Sequence, residues 1–129
     1  VTMDVQSNNL NWFEIPATDI DRAKKFYENV FSIEMGVMEM GGLKMASFPM
    51  GMGSGKATGC VAQSEMHKPR MEGAVSYLNA NPARDEQLGR VEGAGEKVVI
   101  AKTQNSPEIG FMAFFEDNEG NKVGMHSQA

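Results

Sequence analysis

Asn11-Trp12-Phe13-Glu14-Ile15-Pro16, followed two residues on by Asp19-Ile20-Asp21-Arg22-Ala23-Lys24-Lys25-Phe26-Tyr27, alternates apolar and polar side chains and then changes period. Alternation marks a strand with one buried face, and spacings of three and four mark a helix. The order recurs, since Ala74-Val75-Ser76-Tyr77-Leu78 alternates and gives way to Arg84-Asp85-Glu86-Gln87-Leu88-Gly89-Arg90-Val91. Matching Tyr27 with Leu88 and Val30 with Val91 sets an offset of 61 residues. Neither half is able to bury its apolar face alone, so the two copies are predicted to pack together, with a site between or beneath them.

Working outward, Asp19 is the expected N-cap of a helix that opens at Ile20, because its carboxylate can accept from amides of the first turn. Ile20, Ala23, Phe26, Tyr27, Val30 and Phe31 make one apolar stripe. Phe13 and Ile15 are its expected floor, which sends Trp12 and Glu14 to the opposite face of the strand. Strands over Glu34 to Met40 and Leu43 to Pro49 flank Gly41-Gly42, a pair suited to a two-residue hairpin turn. A flexible loop spans Gly51 to Gly59 and a strand Gly59 to Ser64. In the second copy a helix is expected from about Ala83 to Glu92, a strand over Lys97 to Lys102 and a polar loop over Gln104 to Glu108. Phe111 to Glu116 and Lys122 to Ser127 form a final hairpin. Pairing Glu116 with Lys122 puts Phe114 opposite Gly124 and Met112 opposite His126, and a slip of one residue reverses that assignment. The division is thus a first module over residues 9–64, a linker over 65–72 and a second module over 73–127, all within one domain.

The bulk numbers narrow the partners. The chain has 129 residues, 41% of them hydrophobic, and a net charge of -5. That suits a globular protein and argues against nucleic acid or an anionic membrane surface, which select clustered Lys and Arg. No apolar run approaches the roughly 18 residues of a membrane span and no signal segment is apparent, so a cytoplasmic address is expected. The single Cys60 agrees with a reducing compartment. Eight of the eleven methionines lie between Met35 and Met71. They are read either as filling an ordinary core and loop or as lining an adaptable pocket.

Two groups of residues resemble the vicinal oxygen chelate superfamily of glyoxalase I, bleomycin resistance proteins and extradiol dioxygenases. These are Asn11 to Pro16 with Asp19-x-Asp21-Arg22-Ala23-x-x-Phe26-Tyr27, and Glu116-Asp117-x-Glu119-Gly120-Asn121-x-x-Gly124. The likeness is strongest to its small glyoxalase-like members. The resemblance implies an α+β fold of paired βαβββ modules, each sheet forming half of an open barrel, commonly in homodimers. It also implies, in metal-dependent members, His, Gln or Glu converging on one divalent ion from the first and last strands. Carried over, those positions fall at Trp12, Ala74, Gly124 and near Val61 to Gln63. No divalent metal is therefore expected, since a stable site needs three or more ligands.

Other candidates are few. Glu14 and His126 are the expected catalytic pair if the protein is an enzyme, because an imidazole beside a carboxylate suits proton transfer. The competing reading makes both structural, and His67 is taken as a solvated linker residue. Trp12, Phe48, Ser76, Met112 and Phe114 are the expected ligand-binding residues, with the aromatic ones read either as a stacking wall or as core. Cys60 has no adjacent base and is read as a buried, inert thiol. Gly51-Met52-Gly53-Ser54-Gly55-Lys56-Ala57-Thr58 fails the phosphate-loop pattern and is read as a mobile loop whose Lys56 can meet an anion. The expected function is metal-independent binding of a small organic molecule by a homodimer with no nucleic-acid or membrane partner. The alternatives are a lyase or isomerase using Glu14 and His126 or a displaced metal, and an interaction protein whose cavity is filled.

Overall fold

A computed structural model describes residues 3–51, 53–82 and 84–128, the side chain of Arg84 excepted. Ala83 and Met52, placed above in a helix and a loop, lie outside the described residues.

The first module runs β1 (Trp12–Pro16), α1 (Ile20–Phe31), β2 (Gly36–Met40), β3 (Leu43–Ser47) and β4 (Thr58–Gln63). The second runs β5 (Tyr77–Asn79), α2 (Arg84–Gly93), β6 (Val98–Ser106), β7 (Gly110–Glu116) and β8 (Lys122–Ser127). Each module makes a four-stranded sheet of one topology, ordered β1-β4-β3-β2 and β5-β8-β7-β6. In both, the first strand pairs parallel with the last, across the helix crossover, and the other pairs are antiparallel. This is the paired βαβββ arrangement the resemblance implies.

Local chemistry sets the elements. Asp19 caps α1 by accepting from the Arg22 amide, and Ile20, Ala23, Phe26, Tyr27 and Val30 are buried as one stripe. Gly41 and Gly42 both take positive φ, at 50° and 85°, which is what closes the β2-β3 hairpin. The last hairpin keeps the expected register: Glu116 faces Lys122, Phe114 faces Gly124 and Met112 faces His126.

Two expectations need correction. The strand expected over 74–78 is paired only at Tyr77–Asn79, although the Ser76 carbonyl still accepts from the Gly124 amide at 2.8 Å. The polar loop expected at Gln104 to Glu108 is instead largely strand, because β6 continues to Ser106. β6 lies at the sheet edge and is almost wholly exposed, so polar side chains there meet water on both faces and do not oppose pairing. The first strands correspond at 63 residues and the last at 64, both more than the helix-based offset, since Ala17 N–H donates to the Ala62 carbonyl as Ala80 N–H does to that of His126.

One core serves both modules. Ile15, Tyr27, Val30, Ala46 and Val61 from the first join Leu78, Val91, Phe115, Val123 and Met125 from the second. The Phe26 and Phe115 rings, 6.1 Å apart, bridge the two. The β7-β8 turn adds a polar clamp. Tyr27 donates its hydroxyl to buried Asp117 at 2.7 Å, and Asn121 donates to the Pro16 carbonyl at 2.7 Å. Glu119, whose side chain is 1% exposed, accepts from the Thr18 amide and hydroxyl, from the Asp19 amide and from Arg22. A second-module carboxylate therefore sits at the N-terminus of the first-module helix, where the helix dipole and free amides favour it.

Burial alone would raise the Glu119 carboxyl, but the bonds from Thr18 and Arg22 outweigh it and hold the group below its ordinary range. A depressed folded-state value means that stability is present above the unfolded value and lost as pH falls through the folded one. The melting midpoint should therefore fall below about pH 4.5. Glu119→Gln should flatten that slope and cost about 1 to 3 kcal/mol at pH 7, read by chemical denaturation. An unchanged acid slope in the variant would remove Glu119 from the account.

Candidate functional site

Each sheet carries helix on one face only. On the other face of the first sheet lie Trp12 and Glu14 of β1, Cys60 and Ala62 of β4, and Met45 of β3; register sets Trp12 opposite Thr58, Glu14 opposite Cys60, and Met45 opposite both Ala62 and Met38 of β2. Met45, Cys60 and Ala62 form a small apolar cluster separate from the main core. The corresponding face of the second sheet carries Tyr77, Gly124, Phe114, Met112 and His126. Trp12 is 39% exposed and Tyr77 52%, so both faces are open.

Glu14 does not stand free. His67 Nε2 lies 2.8 Å from Glu14 Oε1, the Trp12 indole N–H donates to Oε2 at 3.1 Å, and His67 Nδ1 lies 2.6 Å from Ser64 Oγ. The His67 bond is the main cause holding the Glu14 carboxyl below its ordinary range; burial opposes it and the Trp12 bond adds to it. His126 lies on the other sheet, its Nε2 bonded to the Ile109 carbonyl at 2.6 Å. Within the chain, then, the histidine that meets Glu14 is His67 and not His126. A signal for this existed: the turn after β4 begins at Ser64, and β4 pairs with β1 so that Glu14 faces Cys60. A side chain three residues into that turn is positioned to fold back over the same face.

Between the modules, beside β1 and the segment entering β5, is a cleft of about 630 Å3. Phe13, Phe31, Ile33, Phe48, Val75 and Leu78 supply most of its apolar wall, and Ser76, Thr58 and Asn79 its polar groups. Of the expected ligand residues, Phe48 and Ser76 line this cleft. Phe48 also packs against Phe13 at 5.5 Å and Tyr27 at 5.6 Å, so it is fixed by the core. Trp12, Met112 and Phe114 lie instead on the open sheet faces, where Phe114 contacts the Tyr77 ring at 5.5 Å. The loop bearing Lys56 reaches the cleft through Ala57 and Thr58 and is tied to the N-terminal segment by Asn8, which donates to the Gly55 carbonyl.

The chemistry at the family's metal positions does not suit a divalent ion. The strand correspondence through Ala17 and Ala80 matches Trp12 with Val75, one residue beyond Ala74. Because Glu14 pairs with Cys60 as Tyr77 pairs with Gly124, the last-strand position of the first module falls at Cys60, ahead of Val61 to Gln63. Trp12 and Val75 offer no lone pair, and Gly124 has no side chain. Cys60 is fully buried, and burial with the nearby Glu14 charge pushes its thiol up to about 12. At Gly124 even a Cβ would lie 2.6 Å from the Tyr77 ring. Among the described residues, no three His, Cys, Asp or Glu side chains gather as a metal-binding group.

Gly124→Glu, which puts back the family's carboxylate, should therefore bind no Zn2+ or Ni2+ by calorimetry and should lower the melting midpoint by displacing Tyr77. Uptake of one metal per chain would overturn this reading of the position. His67→Ala should return the Glu14 carboxyl toward its ordinary range, followed by NMR titration of the side-chain carbon.

Among curated proteins no sequence match is found. Solved structures share the fold. A glyoxylase/bleomycin resistance protein/dioxygenase domain from Frankia sp. EAN1pec superposes with TM-score 0.68 at 11% identity over 93% of this chain and 97% of that one. Lactoylglutathione lyase from Agrobacterium tumefaciens gives 0.61 at 17% over 93% of each chain. TnmS3, an antibiotic binding protein from Streptomyces sp. CB03234, gives 0.64 at 19% over 98% of this chain and 100% of that one. With residues 9–125 matching its family model, and with the fold and signature residues in place, the chain belongs to the Glyoxalase/Bleomycin resistance protein/Dioxygenase superfamily.

Proposed function

We propose that this protein binds a small organic molecule in the cleft between its modules, without the superfamily's metal centre. The observation that carries the reading is the cleft itself, whose volume of about 630 Å3 and largely apolar wall with a few polar groups suit a small-molecule site. An open cleft weighs against an interior filled by side chains. The donor-poor residues at the four metal positions support a site that works by desolvation and shape, the kind of role that the name of TnmS3, an antibiotic binding protein, states for that neighbour.

Two features of the proposal concern surroundings. We place the protein in a homodimer, because Trp12, Met38, Met40, Tyr77 and Ile100 leave apolar surface on the open sheet faces that a second copy would cover. The acidic balance supports a small-molecule partner over nucleic acid. Among the described residues no helix is long and apolar enough to cross a membrane, and a cytoplasmic site of action is part of the same proposal.

A second reading, a lyase or isomerase, has one observation in its favour: the 2.8 Å contact between His67 and Glu14 on an open sheet face. In that case Glu14 and His67, in place of Glu14 and His126, exchange the proton.

Ala74→Trp separates these readings. Ala74 is exposed at the cleft wall, so the indole should block the cleft without disturbing the core and abolish capture of any ligand. Native mass spectrometry of wild type and variant reads dimer, metal and carried-over ligand together. A metal-free wild-type dimer holding a ligand that the variant lacks supports binding. One stoichiometric metal per chain, or ligand retained by Ala74→Trp, overturns it. Turnover lost on both Glu14→Gln and His67→Ala, with the fold intact, would establish the second reading.

A further inference from the structure

We propose that the ligand of the cleft is an amphipathic organic anion whose acidic group sits among Lys68, Arg70 and Lys122. The inference rests on the cleft reading above and adds the ligand's charge. A second cavity, of about 200 Å3, opens beside the cleft, and Ala74 and Ser76 line both. The three cations come from separate places, Lys68 and Arg70 from the segment between the modules and Lys122 from the start of β8.

Hydrogen bonds tie together the main chain from which two of these cations project. The Arg70 amide donates to Asn121 Oδ1 at 3.1 Å, and the Lys122 amide donates to the Arg70 carbonyl at 3.3 Å. Asn121 is itself buried and fixed to Asp117 and Pro16, so the main chain that carries Arg70 and Lys122 is anchored to the core. Like charges that line one cavity repel, and an anion among them relieves the repulsion. Among the described residues none of the three forms an ion pair, although the chain carries a net charge of -5. Two carboxylates share the cavity wall. Glu14 has both oxygens bonded, to His67 and Trp12, and exposed Glu72 pairs with none of the cations.

The apolar side of the ligand follows from what adjoins the cations. Lys122 Nζ lies 5.6 Å above the Phe114 ring, which packs against Tyr77, and Tyr77 lines the cleft. Positive charge therefore lies at one margin of an apolar cavity, the arrangement that suits a carboxylate, sulfonate or phosphate on an aromatic or alicyclic body.

Two dyes test this. 8-Anilinonaphthalene-1-sulfonate carries an anionic group on the ring system that N-phenyl-1-naphthylamine has without it. Fluorescence titration of the full chain should show the sulfonate dye bound on the order of tenfold more tightly, with the advantage reduced at high salt. Arg70→Ala and Lys122→Met each leave the main-chain bonds in place, and each should remove most of that advantage while the neutral dye is unaffected. Circular dichroism checks that both variants fold. Ala74→Trp should abolish binding of both dyes. Equal affinity for the two dyes in wild type and variants would overturn the anion site and leave the cleft reading standing. Sulfonate binding that survives Ala74→Trp also overturns it, and binding of neither dye would sink both readings.

Discussion

The fold depends on one buried carboxylate. Asp117, with no exposed surface, accepts from the Tyr27 hydroxyl, the Glu119 and Asn121 amides and the Asn121 side chain, all at 2.7 to 2.9 Å. Those bonds satisfy a charge that would otherwise be costly to bury, and they rigidify the turn that carries it. The turn then delivers Glu119 to the start of α1 and Asn121 to both Pro16 and Arg70. The two signature stretches, a hundred residues apart in the chain, are thus two sides of one contact. Most of their residues hold module to module, and of the two stretches only Phe13 reaches the wall of the cleft, so the contact that sets the fold is largely separate from the cleft.

What could be read in advance follows from the range of the forces involved. The α1 cap at Asp19, its stripe through Val30, the Gly41-Gly42 turn and the Glu116 to Lys122 register are all set by residues within a few positions of one another. The extent of β6 was less legible because an exposed edge strand bears no burial pattern. The Glu14 partner was misread for a different reason. Strand phase correctly sends Glu14 and His126 away from the helices, yet phase does not say that they lie on different sheets or that the chain after β4 folds back to bring His67 to Glu14. That information resides in the path of the linker, where Pro69 and polar residues give no periodicity.

The positions at which the resemblance puts metal ligands hold other side chains in this chain, and one scaffold can carry different sites. Gly124 is the informative case. Its missing side chain is occupied space, because the Tyr77 ring lies against it, and Tyr77 in turn meets Phe114. At Trp12 an indole again stands where a ligand atom is needed, and it donates to Glu14 and so reinforces the bond that already engages His67. At both positions the chain presents aromatic surface, whose contribution grows with area removed from water.

On the proposed metal-independent reading, the burden of selectivity falls on the cleft wall. Coordination fixes a ligand by a few bonds of set length, whereas an apolar wall discriminates weakly among bodies of similar shape and depends on a small number of polar contacts for orientation. In this chain the core fixes Phe48 and Phe13, so the wall of the cleft is preformed on that side. The opposite side is the short, largely exposed segment through Ala74 and Ser76, held, among the described residues, by one main-chain bond from the Gly124 amide to the Ser76 carbonyl. A rigid aromatic wall facing a lightly tethered segment favours tolerance in ligand size over tolerance in ligand position. On the proposed binding reading, adjustment to a ligand therefore falls to residues 72–76, the stretch that joins the cleft to its neighbouring cavity.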